Sequence, residues 1–219
     1  MPRTSLFVVC VLLSGAAPEA RADRQHAFAP LREGAQQTFR VRTRTPEGRF
    51  RSSTVRRQVL AVGRTPQGDL AATVRSSFSA AGRTSTTMHT EVVGPAGVHG
   101  AIAARQPGQV RLTDAQRRIV ALPRHLSPGA TWTEVNPRGA DALTASRVVH
   151  RADGFATIKV NGRRMRALKV SSTETFTRGG QPFRSTAYYV EGLGVAKYVY
   201  RDLAGGVTVG KLRDYTPGK

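Results

Sequence analysis

Polar and apolar residues alternate along most of this chain, and turn signals break the alternation about every ten residues. Thr38–Arg44 sets Phe39, Val41 and Thr43 against Arg40, Arg42 and Arg44, which predicts a strand with a basic face and an apolar or β-branched face. Thr45-Pro46-Glu47-Gly48 reads as a turn, then Arg49–Val62 as a long strand, and Thr65-Pro66-Gln67-Gly68 as a second turn. Asp69–Ser79 and Thr84–Val93 follow around Ala81-Gly82, the latter placing Thr84, Thr86, Met88, Thr90 and Val92 on one side. Val98–Ala104, Gln109–Thr113 and Arg118–Leu122 are weaker strands, with Thr113–Arg118 open to a helical turn instead. Beyond an irregular Leu122–Ala130 segment come Thr131–Val135, Ala142–His150, Phe155–Val160, Arg164–Thr175, Phe183–Val190, Val195–Arg201 and Val207–Leu212. Asn161-Gly162 is the strongest hairpin signal among them. Apolar spacing of three and four is never sustained, so the pattern predicts an all-β antiparallel fold with room for one or two short helices.

The same pattern predicts one domain over residues 31–215, a flexible leader over 23–30 and a short tail over 216–219. Ahead of it, residues 1–22 read as a secretory signal: Arg3, an apolar run through Leu13, and the small-x-small site Ala20-Arg21-Ala22. The mature chain is then expected in the periplasm or secreted, cut after Ala22. The apolar run is too short to span a bilayer at about 20 residues per helix. Cys10, the only cysteine, sits inside that run and reads as an apolar signal residue rather than a lipid-attachment site. Cleavage removes it, leaving no disulfide and no cysteine-based metal site to support the fold.

Charge changes the picture most. The formal net charge is +20, carried mainly by arginines spread along the chain. A solvated face that blocks edge-to-edge aggregation accounts for part of this. Arg40, Arg42 and Arg44 are also candidate anion-binding residues, toward a lipid phosphate, a lipopolysaccharide or an acidic polymer.

Four stretches resemble a known group when taken in order. They are Pro30-Leu31-Arg32-Glu33-Gly34 with Gln37-Thr38-Phe39, then Leu122-Pro123 through Leu126 and Gly129 to Trp132, then Ala167-Leu168-Lys169-Val170, and last Thr186–Lys197 with Tyr188-Tyr189 and Gly192-Leu193-Gly194. Together they resemble exported bacterial β-proteins of unknown function, and more distantly the half-open barrels of LolA/LolB-like lipoprotein carriers. The resemblance implies a single, strongly curved antiparallel sheet forming a half-open or clam-like β-barrel. It brings no catalytic residues.

Catalytic chemistry is thin. His26, His89, His99, His125 and His150 fall on separate elements, and the acids sit near turns or beside arginines. No nucleophile elbow, phosphate loop or nucleotide fingerprint is present, so no enzyme, cofactor or metal site is expected. The expected role is non-catalytic binding of an amphipathic or anionic envelope component: a lipid, an acyl chain or a lipopolysaccharide-like ligand. Phe39, Phe78, Met88, Trp132, Tyr188 and Tyr189 are the candidate lining residues. The alternative is an arginine-rich envelope protein that binds a surface or a protein partner without a cavity. Export disfavours nucleic acid as a partner.

Overall fold

The fold is described from a computed structural model, which covers residues 26–136, 146–176 and 182–219. The signal sequence and Cys10 lie outside them. Among the described residues, twelve antiparallel strands form one sheet in the order β6-β5-β4-β3-β2-β1-β12-β11-β10-β9-β8-β7. The first half runs β1 (Gln36–Arg44), β2 (Phe50–Arg64), β3 (Leu70–Ala80), β4 (Arg83–Gly94), β5 (Gly97–Ala103) and β6 (Val120–Pro123). The second runs β7 (Thr131–Asn136), β8 (Ser146–Val160), β9 (Arg163–Phe176), β10 (Phe183–Val190), β11 (Gly194–Arg201) and β12 (Val207–Thr216). Each half is a meander of neighbouring hairpins. Pairing of β1 with β12 joins the halves, and the sheet curls into a nearly closed barrel.

Most turn signals fall where the strands change direction. Asn161 and Gly162 both adopt positive φ, at 49° and 78°, which the tight hairpin between β8 and β9 requires. Two strand readings need correction. Ala142–His150 and Phe155–Val160 are expected as two strands, yet β8 runs through from Ser146 to Val160; residues 142–145 lie outside the described residues. The pairing with β9 shifts register between Ala152 and Gly154, so a bulge absorbs the residues that look like a turn. Gln109–Thr113 is not a strand. Pro107–Gln109 forms a 3-10 turn, and Thr113 caps a five-residue helix, α1 (Asp114–Arg118), through a reciprocal box with Gln116.

That excursion between β5 and β6 lies on the outer face of β3 and β4. Val110 and Leu112 pack on Ala71 and Val92. The Gln67 side chain makes two bonds to the Leu112 backbone, each 3.2 Å. Arg117 reaches Asp69 at 2.9 Å, and the His99 ring meets the Ile119 carbonyl. The apolar clusters lie on the other, inner face. Val59, Val74, Val93, Val98 and Leu122 form one, and Phe39, Val41, Val195, Tyr198 and Leu212 another. Tyr189 packs against both.

The seam lies between β6 and β7, the two ends of the sheet order. Side chains bridge it in place of a strand ladder. The Trp132 indole N–H on β7 donates to the Ala121 carbonyl of β6 at 3.2 Å. Two residues further along the same edge, His26 donates from Nε2 to the Pro123 carbonyl at 2.7 Å. Alternate carbonyls of a strand point the same way, so both donors serve one exposed edge.

Residues 26–30, read as part of a flexible leader, are packed into the body. His26, Ala29 and Pro30 are buried, and the Ala27 carbonyl accepts from Gly192 at 3.0 Å. The tail is held as well: Lys219 N–H donates to the Glu33 carbonyl. His26 is fixed as the neutral Nε2-protonated tautomer, because its Nδ1 accepts from the Phe28 amide while Nε2 donates. Burial pushes this imidazole below its ordinary value of 6.5, against the opposing pull of the Pro123 carbonyl. Burial lowers His99 too. The unfolded chain therefore takes up protons that the folded chain withholds as pH falls below about 6.5. Urea unfolding is expected to show stability dropping as pH falls from 7 toward 5. A His26→Gln/His99→Gln variant should flatten that slope, and an unchanged slope would refute the assignment.

Candidate functional site

Strand register decides which candidate residues look inward. On β1, Gln37, Phe39 and Val41 share the inner face, and Arg40, Arg42 and Arg44 are exposed on the outer one, as the alternation predicts. Phe39 is fully buried and packs on Tyr198 with ring centres 5.9 Å apart. Phe78, cross-paired with Val55, faces the interior and is half-buried. Trp132 and Tyr189 also face inward. Met88 and Tyr188 do not. Met88 pairs with Arg75 on the outer side of β4 and is 49% exposed. Tyr188 pairs with Lys197 on the outer side, the ammonium 4.7 Å from its ring centre, yet it is half-buried and also packs against the cluster of Phe39 and Tyr198. The proposed lining set is thus divided by the sheet.

The two ends of the barrel differ. Toward the end closed by residues 26–35, the inward side chains Leu31, Ala35, Val59, Ala72 and Leu168 are at most 1% exposed. Toward the opposite end, where the β1–β2, β3–β4 and β11–β12 turns gather, the inward residues Ser53, Phe78, Phe183, Ser185 and Tyr200 are only half-buried. Phe183 and Tyr200 contact each other at 5.6 Å. This is a partly accessible, aromatic-lined mouth above a packed base.

Two polar groups project from the walls between mouth and base. On β2 and β4, Arg57 donates from Nη2 to Glu91 Oε2 at 2.5 Å, and His89 Nε2 meets the other carboxylate oxygen at 3.0 Å. Arg57 is 3% and Glu91 1% exposed at the side chain. Gln37, the register partner of Arg57, donates to the carbonyls of Leu193 and Val195. Arg57 Nε and Nη1 and Gln37 Oε1 are buried without a hydrogen-bond partner among the described residues. Arg57 thus turns its guanidinium inward, unlike the exposed Arg40, Arg42 and Arg44 of β1. A buried ion pair at three strand positions on two different elements leaves no periodic mark in the sequence. The only hint was His89-Thr90-Glu91, whose alternate residues must share a face.

The second group lies on β7–β9. His150 Nδ1 bonds Ser172 Oγ at 2.8 Å, and its Nε2 lies 3.5 Å from Glu134 Oε2. Trp132 stacks on the His150 ring at 4.9 Å, and Ser146 donates to Glu174. Serine, imidazole and carboxylate in sequence resemble a nucleophilic relay, but the supporting parts differ. Ser172 sits on a strand paired on both sides, with His150 and with Ser185, so the ladders engage the neighbouring backbone amides. An oxyanion would need free N–H donors beside the hydroxyl.

With the barrel and its polar walls in view, related folds can be compared. No protein-family model matches the chain, and no curated protein matches its sequence. Solved barrels do match. A candidate exported protein with a YmcC-like fold from Bacteroides fragilis aligns with a TM-score of 0.54 at 11% identity, covering 87% of this chain and 99% of that one. A candidate lipoprotein from Parabacteroides distasonis aligns at 0.50 and 10% identity, over 89% and 100%. At these identities the likeness is one of fold. The outer positions of β1, β11 and β12 carry Arg40, Arg42, Arg44, Lys197 and Lys211, where a membrane-spanning barrel needs an apolar band. Among the described residues no helix is long and apolar enough to cross a membrane.

Proposed function

We propose that the protein is a non-catalytic binding protein of the cell envelope that takes an amphipathic, acid-headed ligand into the mouth of its barrel. The observation that carries this reading is a half-buried aromatic rim, Phe78, Phe183 and Tyr200, above buried Arg57 donors that no group among the described residues satisfies. Buried donors without partners are costly, and a ligand oxygen would relieve that cost. Apolar contact at the rim would supply most of the affinity, at ~0.8 kcal/mol per buried methylene. The Arg57 donors would select the head group. Exported and lipoprotein neighbours support an envelope location.

Native mass spectrometry of the protein purified from an envelope fraction, with anilinonaphthalene sulfonate titration read through Trp132, tests the reading. One saturable dye site is expected, competed by a long-chain fatty acid and weakened about tenfold or more by Phe78→Glu. No bound lipid together with no saturable site would refute it.

A further inference from the structure

The outer face of β2, β1, β12, β11, β10 and β9 carries a pattern that folding does not explain. Following the register from strand to strand, Arg40 pairs with Lys211, Lys211 with Lys197, Lys197 with Tyr188, and Tyr188 with Lys169. Cations therefore stand directly opposite one another on neighbouring strands about 4.8 Å apart, well inside the ~10 Å screening length. Like charges directly opposite destabilise a sheet. A second row, nearer the mouth, repeats the pattern: Phe50 pairs with Arg44, Arg44 with Val207, Val207 with Arg201, and Arg201 with Arg184. Arg42 stands between the rows. Asp153 engages Lys169 at 2.9 Å and draws it upward from its ordinary value, while the Ser171 hydroxyl first and Lys169 second hold Asp153 below its own. Arg40, Lys197 and Lys211 have no acidic partner among the described residues.

Apolar tips flank this basic face at the mouth. Phe50 is 66% exposed, with the Arg42 guanidinium 5.4 Å from its ring centre. Leu203, in the turn between Arg201 and Val207, is 55% exposed. A soluble polyanion has no use for exposed apolar tips. A phospholipid surface does, because cations meet its phosphates while aromatic and aliphatic groups enter the head-group layer. We infer that this face docks the barrel on an anionic phospholipid bilayer, with Arg40, Lys211 and Lys197 against the lipid phosphates and Phe50 and Leu203 at the interface. The inference stands apart from the lumen reading, and neither requires the other.

Co-sedimentation of the whole protein tests it, with vesicles of phosphatidylcholine alone or mixed with phosphatidylglycerol, at low and high salt. Binding is expected only to the mixed vesicles and should collapse in high salt. Arg40→Thr/Lys197→Thr/Lys211→Thr should weaken it by about 100-fold, from the usual contribution of each basic residue at an anionic surface. The charge-matched Arg111→Thr/Arg118→Thr/Arg163→Thr variant, exposed elsewhere, should lose far less. Phe50→Ser/Leu203→Ser should weaken vesicle binding and leave binding to polyglutamate unchanged. The first triple variant should keep a β-type circular dichroism spectrum, a melting temperature no lower than the parent's, and the dye titration of the lumen. Equal loss in both triple variants, binding to neutral vesicles, or vesicle binding indifferent to Phe50 and Leu203 would overturn the proposal. The last outcome would point to an acidic polymer instead.

Discussion

Glu91→Leu is expected to destabilise the protein by about 3–5 kcal/mol, measured by urea unfolding followed at Trp132. The reason is the surroundings of Arg57. Its guanidinium is 3% exposed inside the barrel, and Glu91 is the carboxylate that balances it, 2.5 Å away. Removing Glu91 leaves a desolvated cation with one more unsatisfied donor, beyond the two it already carries. It also takes from His89 Nε2 the oxygen it meets at 3.0 Å. Against a typical domain stability of about 5–15 kcal/mol, such a loss brings the chain close to unfolding. The companion experiment is Arg57→Met/Glu91→Leu, which removes both charges and keeps the volume. It should recover most of the loss, because replacing a buried pair with apolar groups is commonly neutral or favourable. If the double variant were as unstable as the single one, packing at these positions would be the cause and not the stranded charge. The recovered variant would also separate stability from binding: it should fold and yet lose selectivity for acid-headed ligands.

The second large effect is expected at Gly97. Its φ is 140°, in a region that residues with a Cβ rarely enter. A Cβ there would meet the Leu122 carbonyl oxygen at 2.2 Å and the Arg124 nitrogen at 2.8 Å, both backbone atoms of β6 and its exit. Neither can yield as a flexible side chain would. Gly97→Ala therefore combines backbone strain of about 1–3 kcal/mol with overpacking of similar size, for a total near 4 kcal/mol. The consequence is local as well as global. β6 is the seam strand, and its edge holds the Trp132 and His26 donors. Pushing β6 away should break the indole bond to Ala121 and shift Trp132 emission to the red. Gly48→Ala is the control: its φ is 82°, but nothing lies within 4 Å of an added Cβ. It should cost about 1 kcal/mol and leave the emission unchanged.

The strands were legible because each carries its own record. Alternation in Gln36–Arg44 and turn residues at Asn161-Gly162 are local, and the register simply obeys them. Legibility failed where a local signal has two physical outcomes. Ala152-Asp153-Gly154 suits a turn or a bulge, and pairing with β9 selects the bulge. Val110 and Leu112 suit a strand or a strap. They became a strap because Ala71 and Val92 on the outer face needed cover. The candidate site was less legible still. Alternation separates neighbouring side chains of a strand, but which side is the lumen depends on the curl of the whole sheet.

By itself, then, the order of residues determined an antiparallel all-β chain, the strand faces and the exposed basic ladder on β1, since period-two alternation and turn chemistry act over a few residues. Only the tertiary structure decided that Arg57 meets Glu91 inside, that cations from separate hairpins align in one row, and that two side-chain donors span the seam. The ion pair depends on the register of β2 and β4 on either side of β3, and the row and the seam on closure between β1 and β12, strands at opposite ends of the chain; no local pattern carries that information.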